Sequence, residues 1–247
     1  MAIYILWLRQ IKKFFRSKSR IAGSISQPLL FLLAFGFGFG PMYQKAEGGN
    51  YIQFLAPGII AMSVLFMSFF SGVEIIWDKQ FGFLKETLVA PVSRLKIMIG
   101  RTLGGATVAT MQGLIVMIIS MIVGFHPVDW KYVPVAIAFM FLIALFFAGL
   151  GTAIASKLED MQGFQLIMNF LIMPIFFLSG AFFPSDGLPT AFKIITKIDP
   201  LSYGVNGLRS SLINIGHIDI FYNFTILSII AIIVLIIGSY LFTKIEI

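Results

Sequence analysis

The chain has 247 residues, of which 58% are hydrophobic and 12% charged, and its mean hydropathy is +0.95. That composition leaves too little polar surface for a soluble fold and makes lipid the main solvent. Cysteine is absent, which excludes disulfides and thiolate-held metals, and His126 and His217 lie far apart in polar connections and form no metal site. The net charge of +7 is gathered beside apolar runs, where basic residues set topology and meet anionic lipid headgroups, so the pattern points to membrane lipid and not to nucleic acid.

Residues 1–20 come first in chain order. Arg9, Lys12, Lys13, Arg16 and Arg20 fall at helical spacing on one face, and Ile3, Leu6, Trp7, Ile11, Phe14 and Phe15 cover much of the rest. The spacing predicts an amphipathic helix lying in the membrane interface; a basic tail that only orients the chain is the plainer alternative. A cleavable signal peptide is not expected, because the apolar run that follows is of full span length.

Six apolar runs are long enough to cross a hydrocarbon core, which takes about 20 helical residues. They fall near 21–42, 53–76, 98–124, 133–155, 163–183 and 221–242. They are too long and too continuously apolar for barrel strands, so helices are predicted throughout. An even number of spans puts both termini on one side. Assigning that side as cytoplasm gives it thirteen Lys and Arg against five outside, which orients the chain with its N-terminus in the cytoplasm of a multi-pass cell-membrane protein.

Two connections are long. Residues 77–97 form the longest cytoplasmic loop, with a helical stretch placing Phe81, Leu84 and Leu88 on one face before Ala90-Pro91-Val92-Ser93 breaks it. A short cytoplasmic helix between spans suits docking of a soluble partner, and a purely interfacial loop has the same periodicity. On the other side, 184–220 holds a turn at Ser185–Pro189, a short apolar helix over 191–198, and a second opened by Asp199-Pro200 as cap and first position. Their apolar content predicts helices that re-enter the outer leaflet. The whole chain, 1–247, reads as one transmembrane domain of all-α class.

Motifs for chemistry are missing. Phe35-Gly36-Phe37-Gly38-Phe39-Gly40 is glycine-rich without a phosphate loop's Gly-Lys-Ser/Thr ending, and Ser93-Arg94-Leu95-Lys96 lacks the companions of an acylating enzyme. Glu159 and Asp160 are adjacent and cannot face each other across a pocket. Gly100-x-x-x-Gly104 offers close approach to another helix, with dimerisation as one use. The mid-membrane polar residues are neutral, among them Ser63, Thr110, Gln112 and Asn169, so an ion-coupled carrier is disfavoured and the energy must come from another chain.

Three stretches carry a family resemblance: Tyr51-Ile52-Gln53-Phe54-Leu55-Ala56-Pro57-Gly58; Phe81-Gly82-Phe83-Leu84-Lys85-Glu86-Thr87-Leu88-Val89-Ala90-Pro91-Val92-Ser93-Arg94; and Phe177–Pro184 with Leu188-Pro189 and Asp199-Pro200-Leu201-Ser202-Tyr203 running to Arg209. Together with the layout they resemble ABC transporter permeases of the type-2 exporter class, in the drug-resistance and nodulation-factor export branch. The resemblance implies a homodimer working with two ABC ATPase subunits, which would carry the ATP and magnesium. It makes Phe81, Gly82, Phe83, Leu84, Lys85 and Glu86 the ATPase-coupling segment, with Gly82 allowing a sharp turn, and suggests an amphipathic drug or lipid as cargo. Thr110, Gln112 and Asn169 are the candidate pathway residues. Asp199 and Asn206 depart from the family's usual residues, so no acid–Arg209 pair is expected. A membrane scaffold that transports nothing is the alternative from another class, and a channel is a weaker one.

Overall fold

Asn50, Asp160, Asp199 and Asp219 each begin a helix for one reason. The side-chain oxygen accepts a backbone N–H two or three residues on, from Ile52, Gly163, Leu201 and Phe221 respectively. Helix geometry leaves those N–H groups without an intrahelical partner, so a cap is needed wherever water is scarce. Asp160, whose neighbour Glu159 ruled out a facing carboxylate pair, is such a cap.

The computed structural model describes residues 1–47, 49–89, 91–183, 190–215 and 219–244. The helices are α1 Ala2–Arg16, α2 Lys18–Glu47, α3 Tyr51–Phe70, α4 Val73–Gln80, α5 Phe83–Val89, α6 Arg94–Val123, α7 Val133–Lys157, α8 Met161–Ile167, α9 Met173–Leu178, α10 Thr190–Ile198, α11 Pro200–Ile213 and α12 Ile220–Thr243. A π-helical turn, Met168–Ile172, joins α8 to α9. Among the described residues there is no strand. Six helical stretches have the length and apolarity to cross a membrane: Ile21–Lys45, Tyr51–Gln80, Arg94–Val123, Trp130–Lys157, Met161–Leu178 and Ile220–Thr243. The all-α membrane architecture expected from the hydropathy pattern is the one observed.

The second span is the hub. α3 is buried on nearly all sides, packed by α2, α6, α7 and α11, and its sequence is accordingly apolar all round. α2, the fifth span and α12 stand at the edge, with most of their apolar surface open to lipid or to another chain. At the hub the backbones nearly touch. A Cβ on Gly72 would overlap the carbonyl oxygen of Gly151, and one on Gly151 would overlap the carbonyl oxygen of Phe69. Small residues permit such crossings where hydrophobicity cannot drive helices together.

Gly100 and Gly104 do bring a helix close, and that helix is α1. Their faces meet Ile3 and Leu6, and Trp7 and Gln10, respectively. Trp7 Nε1 also donates to Thr107 Oγ1 at 3.0 Å. The face that offered dimerisation is therefore occupied within the chain.

The second span also runs further than hydropathy suggested, to Gln80, so the connection expected at 77–97 is helical at both ends. The polar residues of α4 stay in the bundle because neighbours satisfy them. Glu74 pairs with Lys13 at 3.0 Å, Asp78 with Arg101, and Lys79 Nζ donates to the carbonyls of Ser156 (2.7 Å) and Leu158 (3.0 Å) at the end of α7. Arg101 is buried in this arrangement.

Candidate functional site

The end of the bundle that carries α1 and the start of α6 gathers the basic residues. Arg94 Nη1 donates to the Thr243 carbonyl at 2.6 Å, which fastens the start of α6 to the end of α12. Gly82 sits between α4 and α5 with φ +77, a left-handed conformation that glycine adopts without strain. The turn lets the short helix α5 fold away from the axis of α4. Leu84 is 1% exposed and holds α5 to the bundle, whereas Phe81 (72%), Phe83 (52%) and Glu86 point outward. Phe81 therefore does not share the face of Leu84, because it precedes the helix. The side chains of Lys85 and Leu88, and residue Ala90, lie outside the described residues.

The first and third resemblance-bearing stretches meet at the opposite end. Tyr51 donates from its hydroxyl to the Phe182 carbonyl at 3.0 Å, and its ring lies beside those of Tyr43 and Phe54. Arg209 from α11 sits 3.8 Å over the Phe54 ring and donates through Nη2 to the Ala181 carbonyl at 2.8 Å. A Cβ on Gly58 would overlap that same carbonyl oxygen. Gly180, at φ +77, turns the chain so that Ala181 can face both. Among the described residues no carboxylate is within ion-pair reach of Arg209; ring and carbonyls take its place. Pro184, Leu188 and Pro189 of the signature, and His217, lie outside the described residues.

Asp199 belongs to this end. Its Oδ1 caps α11 while Oδ2 has no partner among the described residues, and burial pushes the carboxyl up to about 7, against the hydrogen bond from Leu201 N that pulls it down. The folded state thus favours the protonated form relative to an unfolded carboxyl near ~4. The stabilising contribution is fully present below that unfolded value and is lost as pH rises through about 7. Thermal unfolding in detergent should show a melting temperature that falls from pH 5 to pH 8. Asp199→Asn, which keeps the capping oxygen, should flatten that slope; an unchanged slope would assign the pH dependence to other groups.

The three neutral pathway candidates do not converge. Thr110 is buried and its hydroxyl returns to the Ala106 carbonyl at 2.8 Å. Gln112 is fully buried within the packing of α6, with neither amide atom partnered among the described residues. Asn169 lies in the π-helical turn on the exposed face of the fifth span, beside Phe170.

A cavity that sequence reasoning missed opens elsewhere. It occupies about 590 Å³ between the end of α1, α2, α3–α4 and the start of α8. Its polar wall is Lys13, Ser17, Ser24, Gln27, Ser63 and Glu74; Phe66, Met67, Phe70 and Trp77 supply the apolar one. These residues are dispersed over four helices, and only the isolated acid Glu74 at a span end hinted at a site.

The comparisons decide the family. Residues 1–213 match the family described as ABC-2 type transporter. The chain belongs to that family. Its relatives include Nodulation protein J of Rhizobium leguminosarum bv. viciae, 28% identical over 195 residues covering 78% of this chain and 74% of that one. The putative transport permease ycf38 of Cyanophora paradoxa is 28% identical over 214 residues, covering 84% and 72%. The inner membrane transport permease YadH of Escherichia coli K12 is 27% identical over 233 residues, covering 92% and 89%. As an ABC-2 permease the chain is a multi-pass membrane subunit of a transporter and not its catalytic chain; ATP hydrolysis in this family belongs to a separate ATPase. The exposed short helix after Gly82 and the two ends of the bundle are thus parts of an ABC-2 transport subunit.

Proposed function

We propose that this ABC-2 permease is the membrane half of an exporter, assembled from two copies of the chain and two ATPase subunits that bind ATP and magnesium. The basic end faces the cytoplasm, in keeping with the excess of Lys and Arg there. The observation that carries the reading is α5: a short helix anchored by Leu84, turned out by Gly82, and presenting Phe81, Phe83 and Glu86. Two exposed phenylalanines and a carboxylate at a helix hung from a bundle make a surface for a soluble partner.

The same region can carry force. Asp78–Arg101 ties the end of α4 to α6, and Lys79 ties it to the end of α7. A push on α5 therefore reaches the second, third and fourth spans together, as a rigid-body motion requires. Cargo passes between the two copies, along the open face of the fifth span that carries Asn169, and is amphipathic and of drug or lipid type. Thr110 and Gln112, packed inside one copy, act on helix packing.

Tagging the chain in its native cell and identifying what co-purifies tests the assembly. A near-stoichiometric P-loop ATPase, lost on Phe83→Ser, is the expected result; a preparation without one would move a non-transporting scaffold ahead. In reconstituted vesicles Gly82→Val, which strains a left-handed position, and Glu86→Ala should each lower export per ATP by about tenfold, within the usual range of coupling energies. Both variants should still insert and assemble. Unchanged export would remove α5 from the mechanism.

A further inference from the structure

Beside the cavity at the basic end lies a second, more open groove of about 910 Å³ along α1 and the start of α2. Lys13 and Ser17 line both. The groove is walled by Arg9, Lys12, Lys13, Arg16 and Lys18, with no acidic residue among its described lining. Among the described lining of the cavity the one carboxylate is Glu74, which pairs with Lys13 at 3.0 Å. A strongly basic groove thus adjoins, across Lys13 and Ser17, a chamber of Phe66, Met67, Phe70 and Trp77.

We infer that this double cavity is a loading site for an anionic amphiphile, taken from the leaflet at the basic end with its charged head in the α1 groove and its apolar tail in the chamber. The inference rests on the transporter reading and names its cargo class. Charge argues for the head: four cations beyond Lys13 converge there without a compensating acid, and each basic group near a membrane surface favours an anionic lipid by about 1 kcal/mol. Shape argues for the tail, since the chamber falls in the ~300–1,000 Å³ range of small-ligand pockets and is mostly apolar. Among its described lining residues Lys13 and Glu74 carry the charge and pair with each other, so a hydrocarbon chain can enter beside them without stripping a counter-charge from either. Ordinary annular lipid would touch the groove alone.

Trp77 in the chamber wall reports occupancy directly. The full-length chain is placed in nanodiscs, and quenching by phosphatidylglycerol brominated on its acyl chains is compared with quenching by brominated phosphatidylcholine at equal mole fraction. Subtracting the signal of Trp77→Phe isolates the one indole. The expected result is about twofold stronger quenching by the anionic lipid. Gly23→Leu should abolish that excess, because Gly23 lines the chamber and a Cβ there meets no atom within 4 Å, so the added side chain fills the space without disturbing the fold. Arg9→Gln with Arg16→Gln, which leaves the Lys13–Glu74 pair intact, should abolish it as well. Equal quenching by the two lipids overturns the proposal. So does an excess that survives Gly23→Leu, which would assign it to lipid around α1. The measurement needs neither ATP nor ATPase, so a chain that binds the lipid and exports nothing would count against the exporter reading and not against the site.

Discussion

Gly151→Val should destabilise the chain by ~3 kcal/mol or more, with Gly72→Val close behind. The reason is steric and local. Each glycine faces the other helix's backbone: a Cβ on Gly72 overlaps the Gly151 carbonyl, and one on Gly151 overlaps the Phe69 carbonyl. A flexible side chain can move aside, but a helical carbonyl can do so only if the whole helix shifts. Here the shift would part the second span from the fourth, at the hub on which α2, α6 and α11 also pack. Melting followed by size exclusion in detergent should show an early loss of monodisperse protein for both variants. Gly38→Val, at a helical position with no atom within 4 Å of the added Cβ, serves as the comparison and should melt like the parent chain. If all three behave alike, the close crossing is not what holds the spans together.

The Asp78–Arg101 pair gives the second large effect. Arg101 is 5% exposed, and its Nε and Nη1 have no partner among the described residues, so Asp78 is its main compensation. Asp78→Asn alone, or Arg101→Met alone, strands one charge at the packed junction of α4 and α6 and should cost about 3 kcal/mol. Making both changes together removes the stranded charge and should recover most of that loss, because the cost of a broken buried pair is mainly the unpaired charge it leaves. The double-mutant cycle is the decisive measurement. Two additive losses would mean that the residues act separately. Export in the restored double variant is a further readout: if the pair transmits motion from α5, stability should recover while export per ATP stays low.

The two tests probe different properties of one region. The glycines allow the second span to lie against the fourth, and the ion pair holds its end against the third. Lys79 closes the remaining side by capping the carbonyls that end α7. Positive charge is favoured at a helix C-terminus, where unpaired carbonyls concentrate negative potential.

The linear chain contains the local determinants. Span number and helical class follow from apolar length, since a backbone in lipid has few ways to satisfy itself. Asp199-Pro200 marked the start of α11 because capping is decided within three residues, and Gly82 marked a sharp turn because only its own φ is involved. The stretches resembling ABC-2 permeases were legible for the same reason.

What needed the fold is whatever depends on a partner far along the chain. Gly100 and Gly104 announced a close approach, but only tertiary packing decided that α1 makes it. Hydropathy ended the second span near residue 76 because Asp78 and Lys79 look costly in lipid; Arg101 and the α7 carbonyls remove that cost from as far as 79 residues away in sequence. Leu84 read as part of a docking face until burial made it an anchor. The cavity at the basic end had no sequence signature beyond Glu74, because its walls come from α1, α2, α3, α4 and α8 and its serines look like ordinary membrane-helix residues. Propensity and hydropathy act over a few residues, whereas compensation of a buried charge and the shape of a void are properties of surfaces that meet only after the chain has folded.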